Sequence, residues 1–367
     1  MSTSESTAET AAELNTELPL AETHRDLGAR WTSYRGIAAP ADYGDADSEF
    51  DAMNHGCAIA DRSGRGRLEM TGEDRARFLH GLVTCDVKAL EPGQGTYGFV
   101  TSVKGRVMSD LVILALEDRL WIDLPPMAGE EISAHLSKYI IVDRVELGTL
   151  ESHLPLTLIG PETGSVLGLD ELPTEDWQHV EATVHGAAAH VVREPLHGPG
   201  GTSSAWTLWV ESSAAADLFS ALVQAGARPA GHSAFDRLRV TASRPLFGID
   251  FDAANFPQET GLDEQAVSYT KGCYLGQEVV ARIHYRGGVN RRLLGLELED
   301  GSDTAGLVGS ALSSDGRECG VLTSVAETAG GTSVGLSIVH QRAEVGTEVE
   351  ITGGGSARLV ELPFAQR

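Results

Sequence analysis

With 367 residues, a hydrophobic fraction of 41% and a formal net charge of -25 at pH 7, the sequence reads as a globular protein of two or three domains. Such an excess of acid repels a phosphate backbone over most of the surface and argues against non-specific nucleic-acid binding, and no apolar run of roughly 18 residues is present to span a membrane. Four cysteines, Cys57, Cys85, Cys273 and Cys319, stand far apart without a CxxC or CxxH pair, so neither a zinc site nor a disulfide framework is encoded locally.

Residues 1–26 are polar and acidic, lack the basic start and apolar centre of a signal peptide, and read as a disordered leader on a cytoplasmic protein. Arg67 to Met70 predict a strand, and Thr71, with Asp74 three residues on, predicts the cap of a helix whose apolar stripe is Phe78, Leu79, Leu82 and Val83. Hairpins follow: a strand to Val103, a turn at Lys104-Gly105, an apolar strand from Leu111 to Leu116, and another from Arg119 to Leu124. Ile132, Leu136 and Tyr139 are spaced for a helix, and "IVDRVEL" returns as a strand. In the middle region "PLTLIG", "HVEATVHG", "HVVRE" and "WTLWVE" predict strands, "HGPGGTSS" a loop, and "AAADLFSALVQAG" a helix ended by Gly226. Beyond "NRR", short β segments divided by glycine turns predict a small barrel or sandwich. The expected domains are therefore a discontinuous α+β unit of residues 27–148 and 232–290, a second α+β unit of residues 149–231, and a β-barrel of residues 291–367.

Three constellations carry chemistry. Cys273, within "KGCYLGQEVVARIHYRGG", precedes the helix-like "GQEVVARI", whose amino-terminal amides would favour a thiolate, and Lys271 adds a cation two residues away; the alternative is a small buried hydrophobe. Arg282, His284, Arg286, Arg291 and Arg292 cluster after it, which suits an anionic ligand or equally a solvated loop that balances nearby carboxylates. Asp110 is the only charge at the mouth of the strand "LVILAL": entering the interior it must find a hydrogen bond and could accept one from an amine or pteridine-like nitrogen, or it faces water at a strand start. No phosphate loop, dinucleotide fingerprint, HExxH or GxSxG motif is present.

"KGCYLGQE", Lys271 to Glu278, together with "ADRSGRGRLEMTGEDRARFLHGLVTCDV" and "FDRLRVTASRPLFGIDF", resembles the folate-binding YgfZ family, relatives of the glycine cleavage system T protein. The resemblance covers nearly everything after the leader. It implies an α+β, T-protein-like fold, three parts in a clover around a central channel, with a C-terminal β-barrel. It further implies tetrahydrofolate as cofactor and a role in assembling or repairing iron-sulfur enzymes, among them tRNA-modifying ones, without direct nucleic-acid or membrane binding. On that basis Cys273, Lys271 and Asp110 are the expected catalytic residues. Tyr274, Gln277, Glu278, Arg239, Arg282, Arg286 and Lys104 are the expected folate contacts, and no metal ligand is expected. The alternative is a tetrahydrofolate-dependent aminomethyl or one-carbon transferase with Asp110 as the catalytic acceptor. T proteins carry an acidic pair where this chain has Ser109-Asp110, and a glutamate-containing turn where it has "HGPGGTSSAW", so the acid that holds the pterin is missing or supplied elsewhere.

Overall fold

A computed structural model describes residues 18–196, 204–299, 304 and 306–364. Residues 1–17 of the segment read as a leader lie outside the described residues, but its last part is folded: α1 (Ala21–Asp26) seals the ring of His24 in the interior. The hairpin of β1 (Arg30–Tyr34) and β2 (Ile37–Asp42) follows. Its two-residue loop places both Arg35 and Gly36 at positive φ, 52° and 85°, the turn whose twist matches the flanking strands. Glycine accepts that geometry freely and arginine does not. Helix α2 (Ala46–His55) is capped by the Asp45 side chain, which accepts from the Ser48 amide.

Strand β3 (Ala58–Asp61) leaves for a second sheet, while β4 (Gly66–Thr71), β5 (Gly95–Thr101), β6 (Val107–Ala115), β7 (Arg119–Leu124) and β8 (Glu146–Thr149) form an antiparallel sheet in the order β5-β6-β7-β4-β8. Leu111 and Ile113 of β6 face a core closed by Phe78 and Leu79 of α3 (Arg75–His80) and Ile132 and Leu136 of α4 (Ala128–Ser137). Val112 and Leu114 face a second core with Phe99 and Trp121. Burial on both faces explains why this strand reads as a continuous apolar run rather than an alternating one. The first helix starts later than Thr71 predicts: Asp74 is its N-cap residue, and the Asp74 carboxylate accepts from the Arg144 amide at 2.9 Å instead of capping its own helix. "IVDRVEL" becomes a strand only at Glu146, and Ile141 and Val142 before it stand exposed.

The second sheet takes β9 (His153–Ile159), β10 (His179–Val184), β11 (Ala187–Pro195), β12 (Ser204–Glu211) and β13 (Arg228–Pro229), ordered β10-β11-β12-β9-β3-β13. Between β9 and β10 lies α5 (Thr163–Leu167), and Leu218, Phe219 and Leu222 of α6 (Ala215–Gln224) cover the sheet. Most of the predicted "HGPGGTSS" loop lies outside the described residues. After α7 (His232–Thr241), α8 (Asp263–Ala266) and α9 (Gln277–Arg286) come seven strands. These are β14 (Arg291–Leu298), β15 (Ala311–Ser314), β16 (Arg317–Val321), β17 (Ser324–Glu327), β18 (Ser333–His340), β19 (Glu348–Ile351) and β20 (Ser356–Val360). They curl into a half-barrel around Leu294, Leu296, Val339 and Leu359. The architecture is thus the mixed α+β class with a terminal β unit that the sequence implies. Among the described residues no helix is long and apolar enough to cross a membrane.

Candidate active site

A cavity opens where the β1–β2 hairpin, the ends of β3 and β11, the middle of β6 and the start of α7 converge. It encloses about 960 Å³ of space free of protein atoms, part of it open to solvent. Val112, Phe235 and Leu246 supply apolar wall, and a set of ionisable side chains interrupts it.

Asp110 is the central one. In the β5–β6 register Asp110 lies opposite Phe99 and Val112 opposite Tyr97, so Tyr97 and Asp110 are diagonal neighbours on one face. The Tyr97 hydroxyl donates to Asp110 Oδ2 at 2.9 Å. Asp110 Oδ1 is buried and has no partner among the described residues. Burial raises the carboxyl's pKa, against the pull of Arg65, the Tyr97 hydrogen bond, Arg35 and Arg244. A buried acceptor without a donor is costly, and in a cavity it marks where a ligand's N–H belongs.

The other charges on the wall are mostly spent on each other. Glu194, at the end of β11, takes Arg62 at 2.6 Å, Arg244 at 3.5 Å and the Thr207 hydroxyl at 3.0 Å. Burial alone would raise Glu194, yet Arg62 and Arg244 outweigh it and hold the carboxyl down at about 2. Arg65 directs Nε at both oxygens of Asp123, 2.8 Å each. Asp61 accepts from the buried His24 ring at 2.8 Å, whose other nitrogen meets the Tyr43 hydroxyl at 2.7 Å. His232 stacks on Tyr34 with ring centroids 3.7 Å apart, and burial lowers its pKa to about 4, so it is neutral at pH 7.

None of the other residues expected from sequence lines this cavity. Lys271 is buried, with all three of its donors on backbone carbonyls: His80 at 2.6 Å, Val83 at 2.8 Å and Cys85 at 2.7 Å. Its burial lowers the ammonium to about 8. Tyr274 packs beneath it, the Lys271 nitrogen lying 5.1 Å from the ring centroid. Leu275 accepts from the Thr101 hydroxyl at 2.6 Å and donates to Gly81 O at 3.0 Å. Gly276 has φ 85°, and a Cβ there would sit 2.4 Å from Ser102 O, so only glycine fits. The signature is therefore a clasp that braces residues 80–85 against edge strand β5. It holds Cys273 exposed on its outer side, whereas Cys57, Cys85 and Cys319 are buried. Gln277 reaches Gly272 O at 3.4 Å; Glu278, Lys104, Arg282 and Arg286 are exposed. Arg239 is buried between α7 and the half-barrel, bonded to Asp250 and Ser324 at 2.8 Å each. Arg291 and Arg292 pair with Glu259 and Glu361.

Comparison with known proteins establishes the family and the fold. Residues 20–271 match the GCVT N-terminal domain. The chain belongs to the GCVT family. An aminomethyltransferase of Rubrobacter xylanophilus is 30% identical over 95% of this chain and 94% of its own length. A putative chloroplastic transferase of Arabidopsis thaliana is 29% identical over 88% of this chain and 74% of its own. The glycine cleavage system aminomethyltransferase T of Bartonella henselae superposes with a TM-score of 0.85 at 23% identity, covering 95% of this chain and 98% of that one, which fixes the fold as T-protein-like.

Sequence reasoning found Asp110 and missed Arg35, Arg62, Arg65 and Glu194. Glu194 follows Arg193 in "HVVRE" and so reads as half of an ordinary charged pair at a strand end. Arg62 and Arg65 in "DRSGRG" looked like ordinary turn residues.

Proposed function

We propose that this protein binds tetrahydrofolate in the cavity and is a transferase of a folate-borne one-carbon unit, akin to the aminomethyltransferases it resembles. The observation that carries this reading is the unpartnered, buried Asp110 Oδ1. A reduced pterin offers ring and amino N–H donors and a flat apolar face, which match that acceptor and the Val112, Phe235 and Leu246 walls. Bound there, tetrahydrofolate would supply the nitrogen that accepts or releases the one-carbon unit. Asp110 accepts a hydrogen bond from the reacting amine, and its raised pKa suits it to hold a proton at Oδ1 and return it. Tyr97 fixes the carboxylate's rotamer through Oδ2, and the Glu194–Arg62–Arg244 group keeps the wall in place. The test is Asp110→Asn: it should lower tetrahydrofolate affinity by at least about tenfold and remove folate-dependent turnover of small amines while the protein stays folded. Unchanged binding by that variant would set the reading aside.

One observation favours a second reading, the YgfZ-type accessory role in iron-sulfur enzyme assembly or repair. Cys273 is the exposed member of four cysteines, held outward by a braced clasp and followed by the exposed Arg282 and Arg286 on α9. Under it the thiol and these arginines meet a client protein's acidic surface, with Lys104, Gln277 and Glu278 nearby as further contacts and tetrahydrofolate as a ligand. In cells lacking the protein, a Cys273→Ser copy should then fail to restore iron-sulfur enzyme activity; full restoration removes this reading and leaves the first.

A further inference from the structure

Once the cavity's internal ion pairs are counted, one cation is left over. Arg62 and Arg244 hold Glu194, and Arg65 holds Asp123, but Arg35 makes no hydrogen bond or ion pair with any described residue. It is not a solvated surface arginine. Its side chain is partly buried at the cavity wall, where burial lowers its pKa. It reaches the Gly248 backbone, where a Cβ would meet Arg35 Nη2 at 2.6 Å. Asp110 and Arg35 lie within electrostatic reach of each other. The backbone that delivers the side chain is strained, a left-handed φ of 52° at a residue with a Cβ, in a turn where asparagine or glycine would sit at ease. Strain, partial burial and an unused guanidinium fork on a cavity wall, beside an acid with an unused oxygen, describe half of a bidentate carboxylate site.

We infer that Arg35 is the carboxylate anchor of the cavity, gripping an anionic group of the ligand whose nitrogen lies at Asp110. This rests on the folate reading for the Asp110 end and is independent of it for the Arg35 end. The carboxylate has two possible sources, the glutamyl tail of the folate or a small amino acid bound beside the pterin.

Titration calorimetry of wild type, Arg35→Gln and Arg35→Lys separates these. The probes are 5-formyltetrahydrofolate, 6-methyltetrahydropterin, which has the ring and no carboxylate, and glycine added with the pterin. If the tail is the source, Arg35→Gln weakens 5-formyltetrahydrofolate at least tenfold, Arg35→Lys less, and neither changes 6-methyltetrahydropterin. If a free amino acid is the source, Arg35→Gln keeps 5-formyltetrahydrofolate and loses glycine. The thermal midpoint of Arg35→Gln stays at or above that of wild type, which a structural role would not allow. Equal affinities of wild type and Arg35→Gln for both carboxylate probes overturn the inference even if the pterin binds. Arg35-dependent carboxylate binding without pterin binding overturns the folate reading and keeps the anchor; no binding of any probe overturns both.

Discussion

The Glu194 carboxylate and the Arg62 guanidinium meet at 2.6 Å on the cavity wall, both largely out of water. Arg244 adds a second cation at 3.5 Å, so Glu194 is the counter-charge for two buried guanidinium groups. Replacing it by glutamine leaves both uncompensated and should cost on the order of 3–5 kcal/mol of stability, read as a lower urea midpoint at pH 7. A change of under about 1 kcal/mol would show that water or mobility already screens the group.

Acid should weaken the fold in two stages. His179 and His232 are lowered by burial from 6.5 to about 4, so the unfolded chain binds their protons first and stability falls as pH drops from 6.5 towards 4. Glu194, held near 2 against an ordinary 4.5, contributes stability that is present above pH 4.5 and is lost as pH falls towards 2. Asp110 works with the opposite sign, since a raised carboxyl pKa makes its ionised form a cost that acid relieves. A urea midpoint measured against pH should therefore decline through both windows, and in Glu194→Gln the second decline should be shallower, since Asp45, Asp74 and Asp118 are also held down by their hydrogen bonds.

Lys271 and Cys273 sit two residues apart and should behave as different kinds of residue. Lys271→Met strips a donor from three backbone carbonyls at once and should cost roughly 2–4 kcal/mol, whereas Cys273→Ser, at an exposed thiol, should stay within about 0.5 kcal/mol. Chemical denaturation of the two variants checks this; equal losses would mean the clasp is not what holds the loop.

Arg35 should be a site where stability and binding oppose each other. Asparagine tolerates the left-handed turn better than arginine, and no hydrogen bond or ion pair to a described residue is lost with the side chain, so Arg35→Asn should gain on the order of 1 kcal/mol. Differential scanning calorimetry reads the gain; a lower midpoint would assign Arg35 a packing role instead.

Much of the fold was legible because its signals are local. The apolar run of β6, the amphipathic stripes of α4 and α6, and the glycine-divided segments of the half-barrel report burial directly. Asp110 was legible for the same reason, as a lone charge entering an apolar strand. The rest of the cavity was not, because its partners are brought together only by topology: Arg62 and Glu194 are 132 residues apart, and Arg65 and Asp123 are 58 apart. The signature Lys271 to Glu278 drew attention as a reactive motif, while its lysine, tyrosine and second glycine serve mainly to pin residues 80–85 and edge strand β5. Spacing along a chain does not reveal that a lysine's donors all point at carbonyls nearly 190 residues away.

The most direct measurement is a crystal structure with 5-formyltetrahydrofolate bound. The account expects the pterin between the β6 wall and α7, with one of its nitrogens about 3 Å from Asp110 Oδ1. Density for the ligand outside this cavity, against the exposed Cys273 loop for example, with Asp110 Oδ1 still unpartnered, would contradict it.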